Sequence, residues 1–511
     1  MHLISKKLFF FLSLFSIVIF SKAQTTFIKT YKFAAPFSFQ NVIKTNDNGY
    51  ILSGYWILRF IAKTDSAGNL LWIKGFPTQA DGAIMQVIQT KDGGLAMIGG
   101  SDTTTVFPYH WDYFLLHTDA DGNPDWLKTY NAFGSEIATG VIEMSDSGYI
   151  ISGGSNAAAY LVRTDKYGDT LWTKMIPSFG NSIVSCSAGD DQLILASEWN
   201  NTELRLIKIN SSASEIWARN YQLPNAQIMS VLKTSDEGYI ATGCIDCGGQ
   251  NSDMFIFKSD STGQLLWLKK YFSPKAEGGS TIIELPQNEF AITGFVIDTL
   301  DFGTFLIKIN SAGDTLWTRE FPLNSGGESM LSESDGGLII SAEHTLVHDS
   351  YMALVRTDEL GNTTCISQPF VFKIIDSLVQ TSSLNVIVAS TNSVVETPAV
   401  SQSNITMYET VVCFDTGNYI RSMDFDENIS FSPNPFHSQT TIRASSQLAV
   451  SSCQLKIYNT LGSLVRTEEI ENIQSHILNR NEMHDGIYFY QVIQIEKSSE
   501  EIIGSGKFII D

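Results

Sequence analysis

Apolar and polar residues alternate with a period of two in short runs over most of the chain, and the runs come in pairs joined by Asp and Gly turns. Met85 to Thr90, Leu95 to Gly100, Tyr113 to Thr118 and Asp125 to Tyr130 are four such runs, which predict four strands. Lys91-Asp92-Gly93-Gly94 joins the first two and Asp119-Ala120-Asp121-Gly122-Asn123 the last two. Asp-Gly and Gly-Gly tolerate the positive φ of tight turns, so each pair reads as a hairpin. The first turn returns at Asp146-Ser147-Gly148, Asp236-Glu237-Gly238 and Asp335-Gly336-Gly337, each followed by an apolar run such as Tyr149 to Gly153. Apolar side chains at alternate positions on both hairpins require a sheet covered on both faces, and nothing in this region has helical period.

The second turn belongs to an eight-residue phrase, roughly Asp-x-x-Gly-Asn/Asp-x-Leu-Trp. Its copies begin at Asp65, Asp119, Asp165, Asn210, Asp260, Asn310 and Asp358, at intervals of 45 to 54 residues. A period of this size with four strands per unit marks the blades of a β-propeller. The seventh copy has Cys365 in place of Trp and no strand of the usual pattern after it. The missing strand is found near the start of the chain, where Phe27-Ile28-Lys29-Thr30-Tyr31 matches Trp126-Leu127-Lys128-Thr129-Tyr130 position for position. The expected fold is all-β: a seven-bladed propeller closed by the N-terminal strand, which removes two open sheet edges.

Residues 1–23 read as an export signal, with Lys6 and Lys7, an apolar stretch from Leu8 to Phe20, and small residues at Ser21 and Ala23. That stretch is too short to span a bilayer, and no other apolar run approaches about 20 residues. The propeller then occupies 24–365. Residues 366–427, rich in Ser, Thr, Val and Asn, carry strand-like runs at Phe370 to Ile375, Leu384 to Ala389 and Ile405 to Phe414. They predict a few strands packed on the propeller and then a mobile tether near Tyr419 to Glu427.

From about Asn428 the blade phrase does not recur. Ser432-Pro433-Asn434-Pro435-Phe436, Leu455 to Gly462, Asp485-Gly486-Ile487-Tyr488-Phe489-Tyr490 and Gly506-Lys507-Phe508-Ile509-Ile510 follow in order. Here the chain resembles the C-terminal (type A) sorting domain of the type IX, or Por, secretion system of Bacteroidetes-type bacteria. The resemblance covers residues 428–511, and Pro433, Asn434, Pro435, Gly462, Gly486, Tyr488, Gly506 and Lys507 carry it. It implies an Ig-like β-sandwich, the type IX secretion machinery as partner, and passage across the inner and outer membranes. It also implies removal of the domain, with release of the cargo or its attachment to the outer surface.

A net charge of −21 without a Lys/Arg cluster argues against a nucleic-acid partner and suits a soluble extracellular monomer. Six cysteines in an exported chain point to pairing. The expected bridges are Cys365–Cys413 across the connector and a local one between Cys244 and Cys247; Cys186 and Cys453 are left unassigned. No second cysteine pair follows with zinc spacing.

The repeats separate scaffold from function, because residues shared by every copy have a structural task. The Asp119 segment resembles the start of a calcium loop, but sister copies at Ser66 to Asn69 and Lys166 to Asp169 lack the second acid, so it reads as a turn. The phrase also resembles the tryptophan-docking motif of quinoprotein dehydrogenases, best at Thr262, Gly263 and Trp267. Here the Asp-to-Gly spacing is one residue shorter, and those enzymes have eight blades. The Trp is therefore read as packing between blades, and no cofactor or metal site is assigned.

The connections opposite the Asp-Gly turns vary in length and carry unusual residues, as binding loops do. They hold Tyr55 and Trp56; Asp102, Phe107, Tyr109, His110, Trp111 and Asp112; Trp199; Asp246 and Asp253; Asp298 and Asp301; and His344, His348 and Asp349. The candidate face comprises Tyr55, Trp56, Tyr109, His110, Trp111, Asp112, Trp199, Asp253 and His344. Aromatics beside carboxylates suit an extracellular glycan or peptide. His344 and His348 read as exposed loop residues. There is no HExxH and no GxSxG, so no catalytic residue is named. A surface binding or adhesion module is the expected function, with an extracellular hydrolase or lyase as the alternative.

Overall fold

The computed structural model describes residues 26–510 apart from 33–37, 56–58, 77–81, 103–110, 364–372, 377–380, 384–388, 391–393, 397–402, 405–407, 412–428, 445–452, 459–463, 471–475 and a few shorter stretches. The expected signal segment, the tether and both Cys365 and Cys413 lie outside the described residues. Contacts divide the chain into two compact units, Met1–Cys413 and Phe414–Asp511.

The first unit is a β-propeller of antiparallel sheets. The second copy of the repeat forms Gly82–Gln89, Leu95–Asp102, Trp111–Thr118 and Pro124–Asn131, so the two predicted hairpins sit side by side in one sheet. Numbered along the chain, the sheets begin with the strands Ser38–Lys44, Gly82–Gln89, Glu136–Glu143, Ile183–Gly189, Ala226–Lys233, Ala276–Leu285 and Gly327–Ser332. Each of these strands touches the one that begins the next sheet, and Gly327–Ser332 returns to touch Ser38–Lys44. Apolar cores lie between successive sheets. One is built by Ile51, Ile61, Met97 and Phe114, another by Leu204, Tyr239, Phe255 and Phe257, all fully or almost fully buried.

The last of these sheets has three strands of its own. Phe27–Lys32 supplies the fourth, pairing antiparallel with Asp349–Arg356 so that Phe27 faces Arg356 and Tyr31 faces Met352. This is the register expected from the match to Trp126–Tyr130.

The repeated phrase is a device for joining neighbouring sheets. Its Asp receives backbone N–H groups two and four residues on: at Asp65 these come from Ala67 at 2.9 Å and Asn69 at 2.8 Å. Burial pushes the Asp65 carboxyl up, but hydrogen bonds from Asn69 and Ala67 outweigh this and hold it below the ordinary carboxylate range. Its Gly adopts positive φ, +79° at Gly168, where a Cβ would lie 2.6 Å from the ring of Trp126 in the preceding sheet. The Lys two residues after that Trp reaches the same turn, Lys128 Nζ standing 2.8 Å from Asp169 Oδ1, and the Tyr130 hydroxyl donates to the Gly168 carbonyl at 2.7 Å. Phe27, Lys29 and Tyr31 repeat all three contacts on Gly68 and Asn69. The other hairpin turn is fixed by an ion pair with the third strand, as in Asp47–Lys63 at 2.7 Å and Asp146–Arg163 at 2.6 Å.

Residues 373–411 exceed the expectation of a few packed strands. Lys373–Asp376, Thr381–Ser383, Ala389–Ser390, Val394–Glu396, Ser403–Asn404 and Tyr408–Val411 each add an outer strand to a different sheet. They visit the fifth, fourth, third, second and first sheets and finally Phe27–Lys32, in reverse chain order. Of the three runs read from the sequence, Lys373 to Ile375, Ala389 and Tyr408 to Val411 fall on described strands, and the rest of each run lies outside the described residues. An outer edge strand needs backbone pairing more than an apolar face, which is why Thr381–Ser383, Val394–Glu396 and Ser403–Asn404 carry no hydrophobic run that marked them.

The second unit has a sheet of Ile429–Ser432, Gln439–Ala444 and His476–Asn479, and another of Leu464–Ile470, Cys453–Tyr458, Gly486–Glu496 and Ser499–Ile510. Ile442 and Leu478 of the first meet Leu455, Ile457, Tyr490, Val492 and Phe508 of the second in one buried cluster.

Candidate functional site

The face opposite the Asp-Gly turns is where each sheet's second strand hands over to its third. Several expected residues stand there at strand ends rather than in loops. Asp102 ends one strand and faces Trp111, which begins the next. Trp111 is half-buried and lies against Gly100, where a Cβ would come within 2.4 Å of its ring. Asp112 is buried and accepts a hydrogen bond from Asn131 Nδ2 at 2.7 Å. Tyr55 ends the strand Tyr50–Tyr55, while Trp56, Phe107, Tyr109, His110 and Asp301 lie outside the described residues. His344 is corrected: it is inside the strand Leu338–Leu346, facing Tyr351, because the hairpin ladder extends to Leu346 opposite Asp349. His348 lies outside the described residues.

The most unusual group on this face stands on a strand rather than in a loop. Arg59 begins the strand Arg59–Thr64, facing Tyr55 on one side and Phe76 on the other. It is 2% exposed. Its guanidinium lies 4.1 Å from the centre of the Phe114 ring of the second sheet, and neither Nε nor Nη1 has a hydrogen-bond partner. Burial pushes its pKa down to about 10, with no carboxylate of the described residues acting on it. A cation–π contact recovers part of the lost hydration of a buried cation but satisfies none of its N–H groups.

The repeats held a signal for it. Counting four residues back from Lys63, His117, Arg163, Lys208, Lys258, Lys308 and Arg356 gives Arg59, Tyr113, Ala159, Leu204, Met254, Thr304 and Met352. All are buried, and only Arg59 is charged. A scaffold position that tolerates neutral side chains in six sheets has no structural need for a cation in the first.

Elsewhere on the face the groups are satisfied or separate. Trp199 is half-buried under the Arg205 guanidinium at 4.8 Å, and Arg205 pairs with Glu203 at 3.2 Å. Cys244 and Cys247 form the expected disulfide, with a Cα–Cα distance of 5.4 Å. It precedes Asp253, whose carboxyl is pushed up by burial and by Asp246, against Lys270. Glu277 of the sixth sheet, not singled out beforehand, is fully buried, accepts from the Ser273 hydroxyl through Oε1 and leaves Oε2 unpartnered. Burial pushes it up to about 7. Glu328 is likewise pushed up to about 7, by burial and then Glu343. The described residues bring neither carboxylate into a hydrogen-bonded pair with another.

In the second unit, Asn434 Oδ1 accepts the backbone N–H of Ile509 at 2.8 Å, tying the Asn-Pro segment to the last strand. Gly486 begins the strand that pairs with it, Gly486 facing Ile510. Tyr488 stacks on Phe508 at 5.7 Å and donates to the His484 carbonyl at 3.0 Å. Gly506 faces Tyr490 and Lys507 faces Phe489; Pro433 and Gly462 lie outside the described residues.

Residues 430–510 match the secretion system C-terminal sorting domain. This sorting domain directs the protein to a secretion machinery, and so to the cell surface or the medium. No helix of the described residues is long and apolar enough to cross a membrane. No curated protein matches the chain. Among solved structures it is similar to the WD40 β-propeller domain of Doa1, at 14% identity and a TM-score of 0.42 over 63% of this chain and 96% of that one. It is also similar to the polysaccharide lyase Uly1, at 10% and 0.40 over 62% and 90%. A protein of unknown function from Bacteroides caccae matches at 10% and 0.34, over 59% and 96%.

Proposed function

We infer that residues 24–365 are a seven-bladed propeller, closed by Phe27–Lys32, that serves outside the cell as a binding module for an anionic glycan. Residues 1–23 act as the signal peptide and 428–511 as an Ig-like sorting domain used by the type IX machinery. The connector joins the two, and the protein works as a monomer. The ligand site lies on the face between the first two sheets, at Arg59 and Trp111. Trp199, Asp253 and His344 belong to other sheets and have no part in it.

The observation that carries this reading is Arg59. A buried guanidinium without a counter-ion among the described residues costs free energy, and a uronate carboxylate or a sulfate ester accepting hydrogen bonds from its free N–H groups would offset that cost on binding. The purified protein is tested by calorimetry against oligogalacturonate, a neutral cello-oligosaccharide and a poly-glutamate peptide. Binding of the oligogalacturonate alone, lost in Arg59→Met, supports the reading. Binding of poly-glutamate alone replaces the glycan by an acidic peptide, and shortened products replace the module by a lyase or hydrolase. A second readout needs no ligand. Without ligand, Arg59→Met removes an unpaired charge and should stabilise the fold by about 1–3 kcal/mol. A lower thermal midpoint in Arg59→Met would show that the arginine supports the scaffold, and would sink the assignment.

A further inference from the structure

The connector keeps count as it passes from sheet to sheet. Val411 faces Lys29, Asn404 faces Lys74 and Ser390 faces Lys174. Ser383 faces Arg219 and Asp376 faces Lys269. The five basic residues hold the same place in their sheets, two beyond the Trp of the phrase or Phe27. Their partners in the connector are spaced by seven residues, with one interval of fourteen. Glu396, facing Thr129 next to Lys128, sits within that interval in step with the others. A passive linker has no reason to return to one register six times. Seven extended residues reach roughly 23–25 Å, enough to lie along one edge and cross to the next.

We propose that residues 373–411 form a belt with one seven-residue unit for each of six sheets, the first to fifth and the last, whose task is to cover their outer edges and lock the ring. Three observations support it. Each covered strand would otherwise present unpaired N–H and C=O groups, a template for pairing with another chain. Positions 362–416 contain no glycine and are rich in Ser, Thr and Val, the composition of strands rather than of a flexible tether. The last unit, Tyr408–Val411, lies on Phe27–Lys32, the strand that completes the last sheet. The closing strand is thereby held between Asp349–Arg356 and the belt, and is no longer an edge. The ring locks only when the chain is complete to Val411, just short of the sorting domain.

Full-length cysteine pairs test the register and deletions test the task. Lys174→Cys with Ser390→Cys, and Arg219→Cys with Ser383→Cys, should crosslink with a short bifunctional thiol reagent. Lys174→Cys with Ser383→Cys, one unit out of step, should not. Deleting Thr391 and Asn392 makes the crossing from the third to the second sheet too short. Amide exchange protection should then fall at least tenfold along Pro124–Asn131, and concentration-dependent self-association should appear. Deleting the whole unit Thr391 to Thr397 keeps every crossing the right length. Only the edge of Phe27–Lys32 should then lose protection. Crosslinking out of step, or protection and association unchanged by both deletions, would overturn the belt.

Discussion

The hydroxyl of Tyr31 donates to the carbonyl oxygen of Gly68 at 2.6 Å, joining the last sheet of the propeller to the first. Tyr130 and Tyr221 make the same bond between successive sheets, to Gly168 and Gly263 at 2.7 and 2.6 Å. Ring closure therefore uses an ordinary inter-sheet joint made by the N-terminal strand.

Tyr31→Phe should cost about 1 kcal/mol, the net value of one buried hydrogen bond, and Tyr221→Phe should cost the same. Denaturant melts of both variants check this. A Tyr31→Phe protein indistinguishable from the unaltered chain, beside a weakened Tyr221→Phe, would mean that the N-terminal strand does not close the ring in solution.

The glycine of the repeated phrase should tolerate no side chain. At Gly168 a methyl group meets Trp126, and the backbone is left-handed at φ +79°. Gly168→Ala should destabilise by about 2–3 kcal/mol, from the conformational cost and the overpacking together. Gly93, with φ +92° and open space around its Cβ position, isolates the conformational part. Gly93→Ala should cost only about 1 kcal/mol. Equal losses in the two variants would refute the packing role of Trp126.

Glu277 should make stability depend on pH. Its folded pKa is raised from 4.5 to about 7, so between those values the folded state holds a proton that the unfolded state has released. Stability then falls as pH rises through this window, with no penalty below it and the full penalty above it. Glu277→Gln should gain on the order of 1–3 kcal/mol relative to the unaltered chain at pH 8 and nothing at pH 4. Thermal midpoints of both proteins from pH 4 to 8 test the sign. A gap between them that does not change with pH would show that Glu277 titrates alike in the folded and unfolded chains.

Cys186 should resist modification in the native protein. Burial pushes its thiol up to about 12, so the reactive thiolate is scarce near neutral pH. Site-resolved mass spectrometry after iodoacetamide treatment should find Cys186 unlabelled until denaturant is added. Rapid native labelling would show that the edge of the fourth sheet opens.

Deleting residues 428–511 should stop export, leaving the protein within the cell envelope. Fractionation of cells that produce the truncated chain gives the answer. Normal amounts outside the cell would detach secretion from the sorting domain.

Much of the scaffold was legible because it rests on neighbours in the chain. The Asp of each phrase binds N–H groups two and four residues away, and Gly supplies the turn that the same few residues require, so hairpins and period could be read directly. The closing strand was legible because Phe27, Lys29 and Tyr31 imitate Trp126, Lys128 and Tyr130. The site was less so. Trp111, Asp112 and Trp199 were found by residue type, but whether each is spent on packing depended on what lay opposite. Arg59 is one charged letter in an apolar run, and only alignment with six buried neutral sisters reveals it.

The sequence by itself determined the strands, their turns, the repeat, the closing segment and the sorting domain, because alternation and turn chemistry are local. Only the tertiary structure decided that Ser390 meets Lys174, that Val411 covers the closing strand and that Arg59 is buried against Phe114. Pairing on an outer edge uses backbone groups that every residue carries, and burial depends on a neighbouring sheet folded from distant residues. The first leaves no mark in the order of side chains along the chain, and the second only the break in the repeats at Arg59.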